Sequence, residues 1–314
     1  MNLDLFQSLR VVSLATRTNF RGITTREVAL FKGSQGWAEF SPFLEYDDQE
    51  SRPWLECAIE AATTPPPKLF HDLVKVNATI PALDNKDQIA RLVDRYPGCS
   101  VFKVKIGTGI REDIARLATV AALVPSVKLR ADVNGLWNLS HAIENIKAIE
   151  SEIDPLEYIE QPVASLEDLR ELRSKITTKI CGDEIIRKSV DPFELDLTDA
   201  VDLIMLKVQP LGGIARCHAI AKHHKLPVVI SSALESAVGI SYGLTLAASF
   251  ADLHFDSGLA TGSLLAQNVA ELEIIDGAIE VRTVDPDFSS VQDVAAERYE
   301  WWKNRIMRIA QQIG

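Results

Sequence analysis

VFKVKIGTGIREDIARLATVAALVPSVKLRAD, residues 101–132, holds two short β-branched or apolar runs, 101–106 and 127–132, with a helix-like segment at 111–123 between them. Strand, helix, strand in that order is the unit of a parallel sheet with crossover helices. Outward from this unit the same alternation runs from about residue 75 to residue 256. The other strand candidates are VKVNATI (74–80), EYIE (157–160), KICGDE (179–184), LIMLK (203–207), PVVIS (227–231) and LHFD (253–256). Helix-like segments at 139–152, 166–175 and 213–224 lie between them. Eight strand candidates so spaced predict an α/β fold closed into a barrel. An open doubly wound sheet is the rival arrangement, and the missing glycine-rich turn after an early strand argues against its nucleotide-binding form.

The chain ends read differently. LRVVSLATRTNF (9–20) and TTREVALFKGSQGWAEFSP (24–42) are two extended, hairpin-like pieces, with turn signals at Arg21–Gly22 and at 33–36. A helix-like run at 52–62 stops before Pro65, Pro66 and Pro67. Near the other end, ELEIIDGAIEV (271–281) reads as a hairpin turning at Asp276–Gly277, and 294–313 as a final helix. The expected organisation is an α+β capping domain built from residues 1–74 and 270–314, with the barrel at 75–269.

Composition narrows the function classes. The 314 residues are 46% hydrophobic and 25% charged, and the formal net charge is −11. An acidic chain argues against nucleic-acid binding, which needs clustered Lys and Arg. The longest apolar run, 233–250, is interrupted by Glu235, Ser236, Ser241 and Tyr242, so no membrane span is expected. Cys57, Cys99, Cys181 and Cys217 form no CxxC pair and fit no zinc spacing; together with a signal-free N-terminus they point to a reducing cytoplasm. Oligomeric state leaves no trace in the sequence.

The chemistry-bearing residues sit at the C-terminal ends of successive strand candidates, where barrel enzymes place their sites. Lys103 and Lys105 are two apart on one strand and share a face. The next strands end in Asp132, Glu160 and Asp183, and the one after them in Lys207. A lone Lys-x-Lys is ordinarily a solvated face, and a lone strand-end Asp or Glu ordinarily a cap. The ordered set, spread over five consecutive strand candidates, demands a joint explanation. Buried, these charges must pair or bind a metal. Three carboxylates on adjacent strands suit a hard divalent cation such as Mg²⁺, and a nearby positive charge lowers a lysine pKa towards the neutral form a base needs.

The stretches FKVKIG, RADVNGLW, YIEQPV, CGDEIIR, LIMLKVQPLGG and VISSALESAVG, together with Trp37-Ala38-Glu39-Phe40-Ser41-Pro42, carry a resemblance to the enolase superfamily, and within it to the o-succinylbenzoate synthases of menaquinone biosynthesis. The resemblance implies a (β/α)₇β TIM-like barrel with an α+β cap over the whole chain. It implies a magnesium-dependent hydro-lyase that converts 2-succinyl-6-hydroxy-2,4-cyclohexadiene-1-carboxylate to o-succinylbenzoate. Asp132, Glu160 and Asp183 would hold one Mg²⁺; Lys105 would serve as base and then acid; Lys207 would stabilise the intermediate; Lys103 would help keep Lys105 neutral. Two departures stand out. Trp-Gly-Glu is Trp37-Ala38-Glu39 here, and no Asp-x-Asp marks the eighth strand candidate, which lowers an epimerase reading.

For the substrate, a small carboxylate, Ser231, Ser232 and Gly258 are the candidates at the succinyl end. Asn134 follows the first metal candidate, and Arg21 could close over the pocket. An N-acylamino acid racemase would use Lys105 and Lys207 on opposite faces of one carbon and shares every site residue. A non-catalytic metal-binding scaffold would leave three inward lysines without purpose.

Overall fold

The computed structural model describes residues 3–20 and 22–313. An antiparallel meander comes first, with strands β1 (Arg10–Phe20), β2 (Ile23–Gly33) and β3 (Gly36–Phe40). Helix α1 (Asp48–Thr63) follows and starts before the expected position 52. Its start is set by a capping box: the Asp47 carboxylate accepts the Glu50 N–H, and the Glu50 carboxylate accepts the Asp47 N–H.

After β4 (Leu73–Lys75) the barrel builds from β5 (Ala78–Ile80), α2 (Lys86–Val93), β6 (Val101–Lys105), α3 (Ile110–Leu123), β7 (Lys128–Asp132) and α4 (Leu139–Glu152). It continues through β8 (Tyr158–Glu160), α5 (Leu166–Arg173), β9 (Ile180–Gly182), α6 (Glu184–Arg187), β10 (Leu203–Lys207), α7 (Ile214–His224), β11 (Val228–Ser231) and α8 (Ala237–Ala248). Strands β5 to β11 form one parallel sheet in sequential order, so the open doubly wound rival is excluded.

Three expectations need correction. VKVNATI is not one strand: β4 and β5 are separate, because β4 pairs with the C-terminal region while β5 joins the barrel. LHFD forms no strand. The eighth position is instead Ser257, bridged to Val76, and Gly258, bridged to Ser231. The Ser257 N–H donates to the Lys75 carbonyl (2.8 Å), the Asn77 N–H to the Ser257 carbonyl (2.9 Å) and the Gly258 N–H to the Ile230 carbonyl (2.8 Å). So short a seam suffices because the edges it joins, β5 and β11, are only three and four residues long. The 271–281 hairpin keeps its turn, with φ of 49° at Asp276 and 75° at Gly277, but its first arm is one bridge, Ile275 to Ala278. Its second arm, β12 (Ala278–Glu280), pairs antiparallel with β4.

The C-terminal segment returns to the first sheet. Strand β13 (Gln292–Asp293) pairs with β1, and α9 (Ala296–Ile313) packs on α1. Trp302 of α9 is fully buried, stands edge-on to Phe40 at 5.8 Å and donates its indole N–H to Glu27 (2.6 Å). Around it lies a cap core that includes Phe31, Trp54 and Ile306, separate from the larger core, which runs between barrel strands and helices and takes in Val12, Leu14, Val28 and Leu30 from β1 and β2. Among the described residues no helix is long and apolar enough to cross a membrane.

Candidate active site

Strand register assembles the charges. Lys105 pairs in register with Asp132, and Asp132 with Glu160, so the three stand at one level on β6, β7 and β8. Asp183 lies just past the end of β9 at the start of α6, and Lys207 ends β10 beside Ser231. The carboxylates of Asp132 and Glu160 are fully buried, that of Asp183 nearly so, and the Lys103 and Lys207 side chains are almost as enclosed. The structure therefore brings together all six strand-end charges singled out in the sequence.

Three lysine side chains meet three buried carboxylates. Lys103 Nζ lies 2.8 Å from Glu160 Oε2 and 3.6 Å from Asp132 Oδ2. Lys105 donates to Asp132 Oδ2 and, at 3.0 Å, to Asn134 Oδ1. Lys207 Nζ lies 2.6 Å from Asp183 Oδ2 and 4.0 Å from Glu160 Oε1. Asp183 Oδ1 also accepts from Arg187 Nε (3.1 Å).

Burial would raise the Asp132 and Asp183 pKa values, but the lysines around them, and Arg187 at Asp183, hold both below the usual carboxylate range. Glu160 goes the other way: burial, then the neighbouring Asp132, push it up to about 7. Lys103 is disfavoured as a cation by burial, yet Glu160 and Asp132 outweigh that and raise its pKa. Lys105 is lowered, first by burial and then by the Lys103 charge, against the pull of Asp132. One of the paired lysines is thus held charged and the other is biased towards the neutral amine.

The donor set fits a hard cation. All three candidate ligands are carboxylates, and Glu160 Oε1 is buried without a hydrogen-bond partner. The carboxylate oxygens turn to the lysines, however, and among the described residues no three such groups stand in ligating geometry.

The pocket above these charges is walled by both parts of the chain. Phe43 and Trp54 come from the cap; Thr79, Arg187, Pro210 and Thr261 come from barrel strand ends and loops. None was assigned from sequence. Arg187 lay inside CGDEIIR, where its spacing of four from Asp183 on a helix was the available signal. Ser231 and Ser232 line the pocket. The Ser232 hydroxyl donates to the Gly258 carbonyl (2.5 Å) and shares a hydrogen bond with Thr261 (2.8 Å). A side chain at Gly258 would run into the Ser231 hydroxyl, and its N–H is engaged by Ile230. Asn134 sits in the left-handed region (φ 54°) and bridges Lys105 to Glu184 Oε1 (3.2 Å). Arg21 lies outside the described residues.

Comparison with known proteins agrees with this geometry. Residues 85–286 match the enolase C-terminal domain-like family and residues 11–62 the enolase N-terminal domain-like family. The o-succinylbenzoate synthase of Mycobacterium ulcerans (strain Agy99) is 44% identical over 309 residues, covering 96% of this chain and 93% of the relative. That of Mycolicibacterium smegmatis (strain ATCC 700084 / mc(2)155) is 41% identical, covering 96% and 95%. Among solved structures, the L-Ala-D/L-Glu epimerase from Bacillus subtilis aligns with a TM-score of 0.75 at 20% identity, covering 91% of this chain and 98% of the other. A muconate lactonizing enzyme from Pseudomonas fluorescens aligns with a TM-score of 0.74 at 18% identity, covering 94% and 97%. At that identity the structural likenesses speak for the fold alone.

Proposed function

The chain belongs to the o-succinylbenzoate synthase family of the enolase superfamily, and on that premise we propose that it dehydrates 2-succinyl-6-hydroxy-2,4-cyclohexadiene-1-carboxylate to o-succinylbenzoate. The observation that carries the mechanism is the pair of lysines, Lys105 and Lys207, on strands separated by three others and bound to different buried carboxylates.

Lys105 is the base. Its lowered pKa favours the neutral amine, which takes the proton alpha to the ring carboxylate. The resulting ammonium then gives that proton to the departing hydroxide, so water leaves and the amine is regenerated. Asn134, hydrogen-bonded to Lys105, fixes the direction of the amine. Lys207, on β10 and paired with Asp183, stabilises the enediolate electrostatically from the other side of the barrel. Lys103, held as a cation by Glu160 and Asp132, disfavours a second positive charge on Lys105. Asp132, Glu160 and Asp183 are the residues that would hold one Mg²⁺, which requires the lysine heads to release them. When bound, the metal supplies positive charge to the substrate carboxylate as negative charge develops there.

We assign the succinyl end to Ser231 and Ser232, which line the pocket, with Gly258 packed behind Ser231; Arg21 is a further candidate from the sequence. We assign residues 1–74 and 270–314 to the cap and 75–269 to the barrel, supported by the return of β13 to β1 and of α9 to α1. Four buried free cysteines support a reducing cytoplasm. The test is an assay of the purified, magnesium-loaded protein with the cyclohexadiene carboxylate. Formation of o-succinylbenzoate is expected, and no turnover above the uncatalysed rate would overturn the assignment.

A further inference from the structure

Downstream of β11 the chain makes a loop that is not held by its own preferences. Ser231, Ser232 and Ala233 line the pocket, and Leu234 then adopts a φ of 66°. A branched residue in the left-handed region persists only where its surroundings over-determine it. Much of that hold comes from the cap. Arg26 of β2, only 2% exposed, donates from Nε to the Leu234 carbonyl (3.2 Å), from Nη1 to the Pro42 carbonyl (3.4 Å) and from Nη2 to the Ser41 carbonyl. Its guanidinium also stacks 4.6 Å from the centre of the Phe43 ring, which itself lines the pocket.

Glu39 of β3 grips the other end of the same loop. Its carboxylate is buried and accepts from the Ser236 N–H (3.2 Å), the Ser236 hydroxyl, the Gly239 N–H (3.0 Å) and the Ser41 hydroxyl (2.6 Å). Ser236 is the N-cap of α8, so Glu39 ties the cap sheet to the start of that helix. Gly239 has to be bare at this point, since a Cβ would collide with Gln209 and Glu235.

We propose that Arg26 and Glu39 are positioning residues of the pocket: through them the docked cap sets the path of residues 232–236 and so the placement of Ser231 and Ser232. Neither side chain lines the pocket. The inference rests on the reading that this wall faces substrate. It adds that the wall is assembled by the cap, over more than 190 residues of intervening chain.

The experiment combines steady-state kinetics on the magnesium-loaded enzyme with amide hydrogen exchange over residues 231–239. Arg26→Lys keeps the charge but cannot reach three carbonyls in a fork. Glu39→Gln keeps one acceptor and turns the other into a donor facing N–H groups. Each is expected to raise KM about tenfold, the effect of losing one charge-assisted hydrogen bond, with a smaller change in kcat and faster exchange confined to 231–239. Ile149→Val, in helix α4, which packs on α3 and α5, should change neither reading. Unchanged KM, unchanged loop exchange, or exchange that rises over the whole molecule overturns the proposal. In the unsubstituted enzyme the amides of 233–239 and of β3 should open together, and independent opening overturns it without any variant. Ser232→Ala separates the two readings: normal KM there removes Ser232 from substrate binding, while loop exchange in the Arg26 and Glu39 variants still decides who holds the loop.

Discussion

Glu235 lies under the pocket wall, and Glu235→Gln tests the electrostatics of the cap–barrel joint. The carboxyl is buried; one oxygen accepts the Ala233 N–H at 2.6 Å. The charged groups that act on it from neighbouring elements are Glu39 on β3 and Arg26 on β2. Burial first, and the Glu39 charge second, raise its pKa from 4.5 to about 7. A raised acid favours its neutral form in the folded state. Its contribution is fully present below pH 4.5 and is lost as pH rises through about 7. At 1.36 kcal/mol per pKa unit the gap corresponds to about 3 kcal/mol, which the native enzyme forgoes at pH 8 and the glutamine variant does not. Glutamine can still accept from Ala233. Urea unfolding of both proteins at pH 5 and pH 8 is the assay. A variant more stable by about 1 kcal/mol at pH 5, where the unfolded-state carboxyl is already largely ionised, and by about 3 kcal/mol at pH 8 is expected. Stability differences that do not change with pH would refute the reasoning, since they would mean that Glu235 titrates alike in the folded and unfolded chain.

Other outcomes follow from the same geometry. Lys105→Arg should lower kcat for dehydration by about 10²–10⁴, because arginine keeps the charge but cannot act as a base; initial rates with the cyclohexadiene carboxylate check this. Lys207→Arg should retain part of the dehydration rate, and neither enantiomer of an N-succinyl amino acid should exchange its alpha proton efficiently in D₂O; efficient exchange of both, without dehydration, would make the enzyme a racemase. Dialysis against a strong chelator should abolish turnover and added magnesium restore it, whereas full activity in chelator would remove the metal from the mechanism. Trp302→Ala should cost about 3–5 kcal/mol of stability by cavity formation, read by denaturant unfolding, because the indole is fully buried in the cap core and bonded to Glu27.

The sequence by itself carried the linear order of the chemistry: Lys103, Lys105, Asp132, Glu160, Asp183, Lys207. A parallel sheet in sequential order converts position along the chain into position around the barrel, and strand alternation decides which side chains face inward. Those two local rules place the charges at one end of the sheet before any contact is known. The seam at Ser257–Gly258, the pocket walls from Phe43, Trp54 and Arg187, and the hold of Arg26 and Glu39 on the 232–236 loop were decided only by tertiary structure. Periodicity says nothing about where an irregular loop runs, and the partners of Arg26 and Glu39 on the far side of the joint lie about 200 residues away in the chain. Nor could it show that each buried carboxylate meets a lysine, because a pairing distance depends on rotamers that packing alone selects.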